Sequence, residues 1–72
     1  MARMIPIQYY DINDCEHEDE ALVEYVTLHD TEGKVEHDIT DIFLPEGVPL
    51  VDRREVREYV ANLFYKGEGY EV

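Results

Sequence analysis

Cys15 and His17 stand two residues apart among the six acids of residues 11–20. Thiolate, imidazole and carboxylate are all ligands that zinc accepts. A closed structural site draws paired Cys or His ligands from two places, and this chain has a single cysteine. The pair therefore reads as part of a solvated acidic loop, with no metal expected. His29 and His37 fall diagonally across a hairpin, within reach of a shared ion. They read more simply as two histidines near its end.

Covalent catalysis finds less to work with. The sequence has no serine, and Thr27, Thr31 and Thr40 lie on strands and a turn with no base beside them. Carboxylates around Cys15 oppose its thiolate, whereas reactive cysteines need a positive environment. Paired carboxylates for acid–base work need a desolvated pocket, which a chain of 72 residues builds with difficulty. The four glycines are scattered, so no phosphate-cradling loop is present. No catalytic residue, metal or other cofactor is expected.

What remains is charge. With 18 acids against 6 Lys and Arg, the net charge is −12. Residues 1–52 hold fourteen acids against Arg3 and Lys34, whereas Arg53, Arg54, Arg57 and Lys66 cluster near the C-terminus. Direct nucleic-acid binding is opposed by this balance, since affinity for phosphate comes from Lys and Arg that release counterions. The helix arginines are expected to tie the helix to the acidic body by ion pairs.

The elements that position these groups follow from periodicity. Met4–Ile12 alternates as a first strand, and Pro6, which lacks an N–H, assigns it to a sheet edge. Residues 13–20 read as a polar loop. Ala21–His29 and Lys34–Phe43 form a hairpin across Asp30-Thr31-Glu32-Gly33, a type I turn closed by a left-handed glycine. Pairing Asp30 with Lys34 sets Tyr25 opposite Ile39 and Val23 opposite Asp41. One face then collects Val23, Tyr25, Val35, Ile39 and Phe43, and the other Glu24, Val26, Leu28, Glu36, Asp38 and Thr40. The first face is assigned to the core. Asp52 with Glu55 reads as a capping box, and Val51 with Val56 as a hydrophobic staple. Val56, Tyr59, Val60, Leu63 and Phe64 follow amphipathic helical spacing, and Gly67 is placed just past the helix end. The fold class is α+β: a small antiparallel β-β-β sheet with one C-terminal amphipathic helix packed on one face, in a single domain of residues 1–72. Tyr70 and Val72 are left as a short terminal strand or loose tail.

Composition bounds the setting. A hydrophobic content of 44% with six tyrosines argues against disorder. The N-terminal residues are too short and polar for a secretory segment, no run approaches a membrane span, and a lone thiol suits a reducing compartment. A cytoplasmic chain, in the host cytoplasm if viral, without a membrane partner is expected.

Three explanations compete for the acidity: solubility alone, a salt-loving proteome, and imitation of a nucleic-acid backbone. Residues two apart on a strand lie about 6.6–6.8 Å apart, near the expected separation of successive phosphates on an extended backbone. Glu36 and Asp38 have this spacing, with Glu24 opposite, while Glu16, Glu18, Asp19 and Glu20 extend the negative surface. Val26 and Leu28 supply apolar anchors between the charges. In size and charge balance the chain resembles, as a class, small acidic proteins, often phage-made, that block CRISPR effectors, restriction enzymes or host polymerases. The expected function is a non-enzymatic inhibitor or regulator. Its partner is a larger protein with a basic nucleic-acid-binding groove, engaged through Glu16, Glu18, Asp19, Glu20, Glu24, Val26, Leu28, Glu36 and Asp38. The alternative is an assembly module, in which Tyr9, Tyr10, Val26 and Leu28 or the first strand's edge would pair with another subunit or a second copy.

Overall fold

A computed structural model describes residues 1–72. Its elements are β1 (Ala2–Tyr10), β2 (Glu16–His29), β3 (Val35–Phe43), α1 (Arg53–Tyr65) and β4 (Tyr70–Glu71), with a 3₁₀ turn at Leu50–Asp52. The sheet is antiparallel in the order β3-β2-β1-β4. Helix α1 crosses one face, and the fold is α+β.

Alternation decides which face is buried. Odd-numbered residues of β1 and β2 point at the helix. Ile5, Ile7, Tyr9, Ala21, Val23 and Tyr25 are all buried and share one cluster with Ile42, Val48, Val60 and Phe64. The opposite face is solvent-exposed: Val26 is 44% and Leu28 47% accessible. The assignment of Val23 and Tyr25 to the core, with Val26 and Leu28 outside, holds.

The segment read as a loop is strand. Glu16–Glu20 pairs with Pro6–Tyr10 as the start of β2, leaving only residues 11–15 as a turn. Like charges are tolerated here because neighbours on a strand point to opposite faces and the cross-strand partners are neutral: Tyr10, Tyr9, Gln8, Ile7 and Pro6. The turn itself copies the one at Asp30. In each, the Asp N–H donates to the residue four on (Asp11 to Cys15, Asp30 to Lys34, both 3.0 Å), and its carbonyl accepts from the residue three on. Asp Oδ1 also accepts two further backbone N–H bonds in each, from Asn13 and Cys15 and from Glu32 and Lys34. The fourth position is left-handed in both, at φ +83° in Gly33 and +61° in Asp14. Asp is one of the few L-residues to visit that region.

Strand β1 is interior, not an edge. Met1 and Tyr25 form a hydrogen-bonded pair (Tyr25 N–H to Met1 carbonyl, 2.9 Å; Met1 N to Tyr25 carbonyl, 3.2 Å). Because hydrogen-bonded pairs alternate, Pro6 opposite Glu20 falls where the nitrogen faces away from β2. Strand β4 pairs only with Arg3 and Met4, so the missing donor breaks no ladder bond.

The β2–β3 register follows the turn as far as Tyr25 opposite Ile39, then slips. Thr40 is the extra residue of a β-bulge, after which Asp41 lies opposite Glu24 and Ile42 opposite Val23. The bulge turns Asp41 outward, buries Ile42 and leaves Phe43 47% exposed, contrary to its core assignment. Val35, also assigned inward, is exposed because β3 runs past the helix there.

The helix starts differently from the sequence reading as well. Asp52 is in the αR region and makes no side-chain capping bond, whereas N-caps need extended backbone. The 3₁₀ turn instead begins after Pro49, and Val51 is 89% exposed, so no staple forms. The C-terminus is as expected. Gly67 (φ +84°) donates to the Phe64 carbonyl and Glu68 to that of Leu63, both at 3.0 Å, a Schellman motif. This turn sends the chain back to form β4.

Truncating Phe64 to alanine should cost about 3–5 kcal/mol, comparable to everything one core of this size supplies. Phe64→Ala is expected to be unfolded at room temperature by circular dichroism, while Tyr59→Ala on the exposed side stays folded. Asp14→Gly should relieve the left-handed backbone and raise stability by up to about 1 kcal/mol. A melting temperature unchanged or lowered in that variant would refute the strain.

Candidate functional site

The sheet face turned away from α1 has no other element packed on it. Parity places Ala2, Met4, Pro6, Gln8 and Tyr10 of β1 there, with Glu16, Glu18, Glu20, Leu22, Glu24, Val26 and Leu28 of β2. Strand β3 adds Glu36 and Asp38 before the bulge and Asp41 and Phe43 after it.

Together the carboxylates draw one oblique track. It runs along β2 through Glu16, Glu18 and Glu20, reaches Glu24 with Asp41 directly opposite, and continues on β3 through Asp38 and Glu36. At about 3.3 Å per residue it spans roughly 40 Å. No Lys or Arg of β1, β2 or β3 shares this face: Arg3, their only such residue, points to the helix side. Leu22, with Phe43 opposite, interrupts the track between Glu20 and Glu24, and Val26 and Leu28 lie beside it.

Two local bonds qualify the picture. Gln8 Nε2 donates to Glu18 Oε1 at 3.1 Å, and the Tyr70 hydroxyl of β4 donates to Glu20. The second bond holds the Tyr70 proton, raising its pKa, with burial a smaller contribution. Both donors are neutral, so the track keeps its charge.

Of the nine residues expected to bind a partner, the outer face brings together Glu16, Glu18, Glu20, Glu24, Val26, Leu28, Glu36 and Asp38. Asp19 is separated from them: it lies opposite Ile7, on the helix side. Asp41, Phe43 and Leu22 were missed. Uninterrupted alternation would have pointed Asp41 into the core beside an outward Ile42, and that conflict was the available sign of a bulge.

The other candidates are engaged separately. Cys15 Sγ lies 3.8 Å from the Asn13 carbonyl, whereas His17 Nε2 bonds Asp11 Oδ2 at 2.6 Å and its ring stacks on Tyr9 at 5.3 Å. No three metal-ligating side chains converge. His37 Nδ1 meets Thr27 Oγ1 at 3.0 Å, and its ring packs edge-on to Tyr25. The expected ion pairs between the helix arginines and the body do not form. Arg53 instead donates to the Pro45 and Glu46 carbonyls, fixing the loop before the helix. The largest hollow, about 500 Å³ and open to solvent, is lined by Arg3, Glu36, His37, Asp38, Phe64, Tyr65 and Gly67.

On the helix side one polar cluster ties the C-terminus down. The Tyr25 ring is buried, and its hydroxyl donates to Glu71 Oε1 at 2.5 Å, where the Arg3 guanidinium also bonds at 2.8 Å. Arg3 lies over the Phe64 ring, 5.1 Å from its centre. The Tyr25 bond, then Arg3, holds the Glu71 carboxyl below its usual range, and the same bond raises the Tyr25 pKa. Asp11 is lowered too, by His17 and then by the Cys15 backbone N–H.

No protein-family model matches the chain, and neither the curated proteins nor the solved structures contain a significant match to it.

These shifts set a pH profile. Glu71 and Asp11 hold their protons less tightly when folded, so their contribution is present above the ordinary carboxylate range and lost as pH falls through the depressed values. Tyr25 and Tyr70 hold theirs more tightly, so their contribution is present below about pH 10 and lost as pH rises beyond it. Thermal melts should show a plateau between these limits. Glu71→Gln should lower the plateau and flatten the acid limb; an acid limb identical to wild type would refute the assignment.

Proposed function

We propose that this chain is a non-enzymatic inhibitor or regulator that occupies the basic nucleic-acid-binding groove of a larger protein with its outer sheet face. The observation that carries the reading is the carboxylate track, which runs from Glu16 to Glu36 with one break at Leu22 and no Lys or Arg of β1, β2 or β3 on its face. Concentrating like charge opposes folding, and setting Glu24 directly opposite Asp41 opposes strand pairing. Neither cost is offset by a base on that face, whereas Lys and Arg of a partner would offset both.

The geometry fits a backbone mimic. Carboxylates two apart on a strand repeat at about 6.6–6.8 Å, and Val26, Leu28 and Phe43 provide the apolar contacts that an interface core needs. Opposite charge steers encounter and speeds capture. A helix on one face and a flat polar face on the other suit occlusion better than chemistry, which needs an enclosed pocket. The class of partner this implies, a nuclease or polymerase acting on nucleic acid, is the one that phage-made anti-defence and host-takeover proteins block in host cytoplasm.

The half-exposed Val26, Leu28 and Phe43 also favour a second reading, assembly through the same face. Stacking two copies would bring the two acid tracks together, so light scattering at low salt is expected to show a monomer. A stable dimer there would favour the assembly module.

Capture of a partner from host lysate should fall steeply as salt rises. Glu36→Lys with Asp38→Lys should weaken it by about tenfold or more, while circular dichroism stays that of the folded domain. Capture that is insensitive to salt would overturn the mimic.

A further inference from the structure

The sheet has two open flanks, and they are not equivalent. On the β1 side, β4 covers Arg3 and Met4, and Pro6 removes a donor beyond them. On the β3 side nothing is paired. Hydrogen-bond alternation fixes which donors are free there. Asp30 N–H donates to the Lys34 carbonyl, so the next bonded pairs are Leu28 with Glu36 and Val26 with Asp38. The N–H groups of Val35, His37 and Ile39 therefore point away from β2.

We propose that β3 is a docking edge for an extended basic segment of a partner protein, which adds to the sheet as a fifth strand. Added strands bind through main-chain bonds and select through alternate side chains. Between the free donors, Glu36 and Asp38 project onto the outer face with the repeat of an added strand's own side chains, so Lys or Arg at every second position would meet them. The intervening side chains would lie beside Val35, which is 49% exposed, and the half-buried Ile39. A second copy fits poorly in the register centred on the middle donor. Antiparallel pairing of two β3 strands about His37 sets Glu36 opposite Asp38 twice, and like charges directly opposite are destabilising. That register is thus closed to a second copy, while the edge is open to a basic strand. The inference rests on the reading above for the partner's charge and adds a backbone surface to it.

The test uses the full chain at low salt and a synthetic peptide of alternating lysine and valine, about eight residues long. Amide exchange by NMR should slow at Val35, His37 and Ile39 by about tenfold or more when the peptide binds. Glu36→Lys with Asp38→Lys should weaken the peptide by about tenfold or more. Val35→Pro, which deletes a free donor without touching a β2–β3 bond, should weaken it while β2–β3 amides keep their protection.

Any of three results overturns the proposal: no binding, binding that leaves those three amides unchanged, or equal protection by a peptide with its lysines grouped in one block. Protection that rises with protein concentration and no peptide assigns the edge to a second copy and overturns it too. Salt-sensitive capture of a host protein with β3 amides unprotected would remove the edge and keep the outer-face reading.

Discussion

The structure depends on one apolar contact: the odd-numbered side chains of β1 and β2 pressed against Val60 and Phe64 of α1. With no disulfide available to its single cysteine, the chain has this burial and its hydrogen bonds to oppose conformational entropy. Fixing the odd face inward fixes everything else by alternation, because a one-residue slip would exchange both faces at once. The acid track is therefore a by-product of where the core lies. It is where the even-numbered side chains have to be.

Much of this was legible in the residues. Asp30 through Gly33 specified the turn and the register as far as Tyr25 opposite Ile39, Gly67 marked the helix end, and the spacing of Val56, Val60, Leu63 and Phe64 marked its buried stripe, whereas Tyr59 of the same pattern is half exposed. Three features were not legible for physical reasons. The start of β2 was hidden because its acids suggest mutual repulsion, and that objection disappears once neutral β1 residues face them. The bulge at Thr40 left only an indirect trace, the conflict of an inward Asp41 with an outward Ile42, because alternation itself does not say which residue is inserted. The helix start was misplaced because Asp52 and Glu55 have capping chemistry, yet the chain reaches them already coiled from Leu50.

Charge and packing are separated with unusual economy. Five of the six Lys and Arg lie off the outer face: Arg3 is drawn to the Glu71 and Tyr25 cluster, Arg53 to loop carbonyls, and Arg54, Arg57 and Lys66 to helix α1 or its end, while Lys34 sits in the turn just beyond Glu36. That distribution leaves the outer face of the strands themselves acidic. The bulge contributes as well, since it adds Asp41 to the track while returning Ile42 to the core. A single inserted residue serves both faces.

The lengths of β2 and α1 differ in a way that bears on local stability. Fourteen strand residues extend about 46 Å, while thirteen helical ones cover about 20 Å, and the molecule measures 50 Å along its longest axis. The helix is consequently too short to cover the whole β2 ribbon: at the β1 end the loop at Gly47 and Val48 takes over and buries Tyr9, while toward His29 and Val35 the two strands are exposed, a two-stranded form only marginally stable by itself. Lengthening α1 by a turn or two would cover more of this ribbon, so the ratio of helix to strand length sets how much of the sheet relies on cross-strand bonds alone.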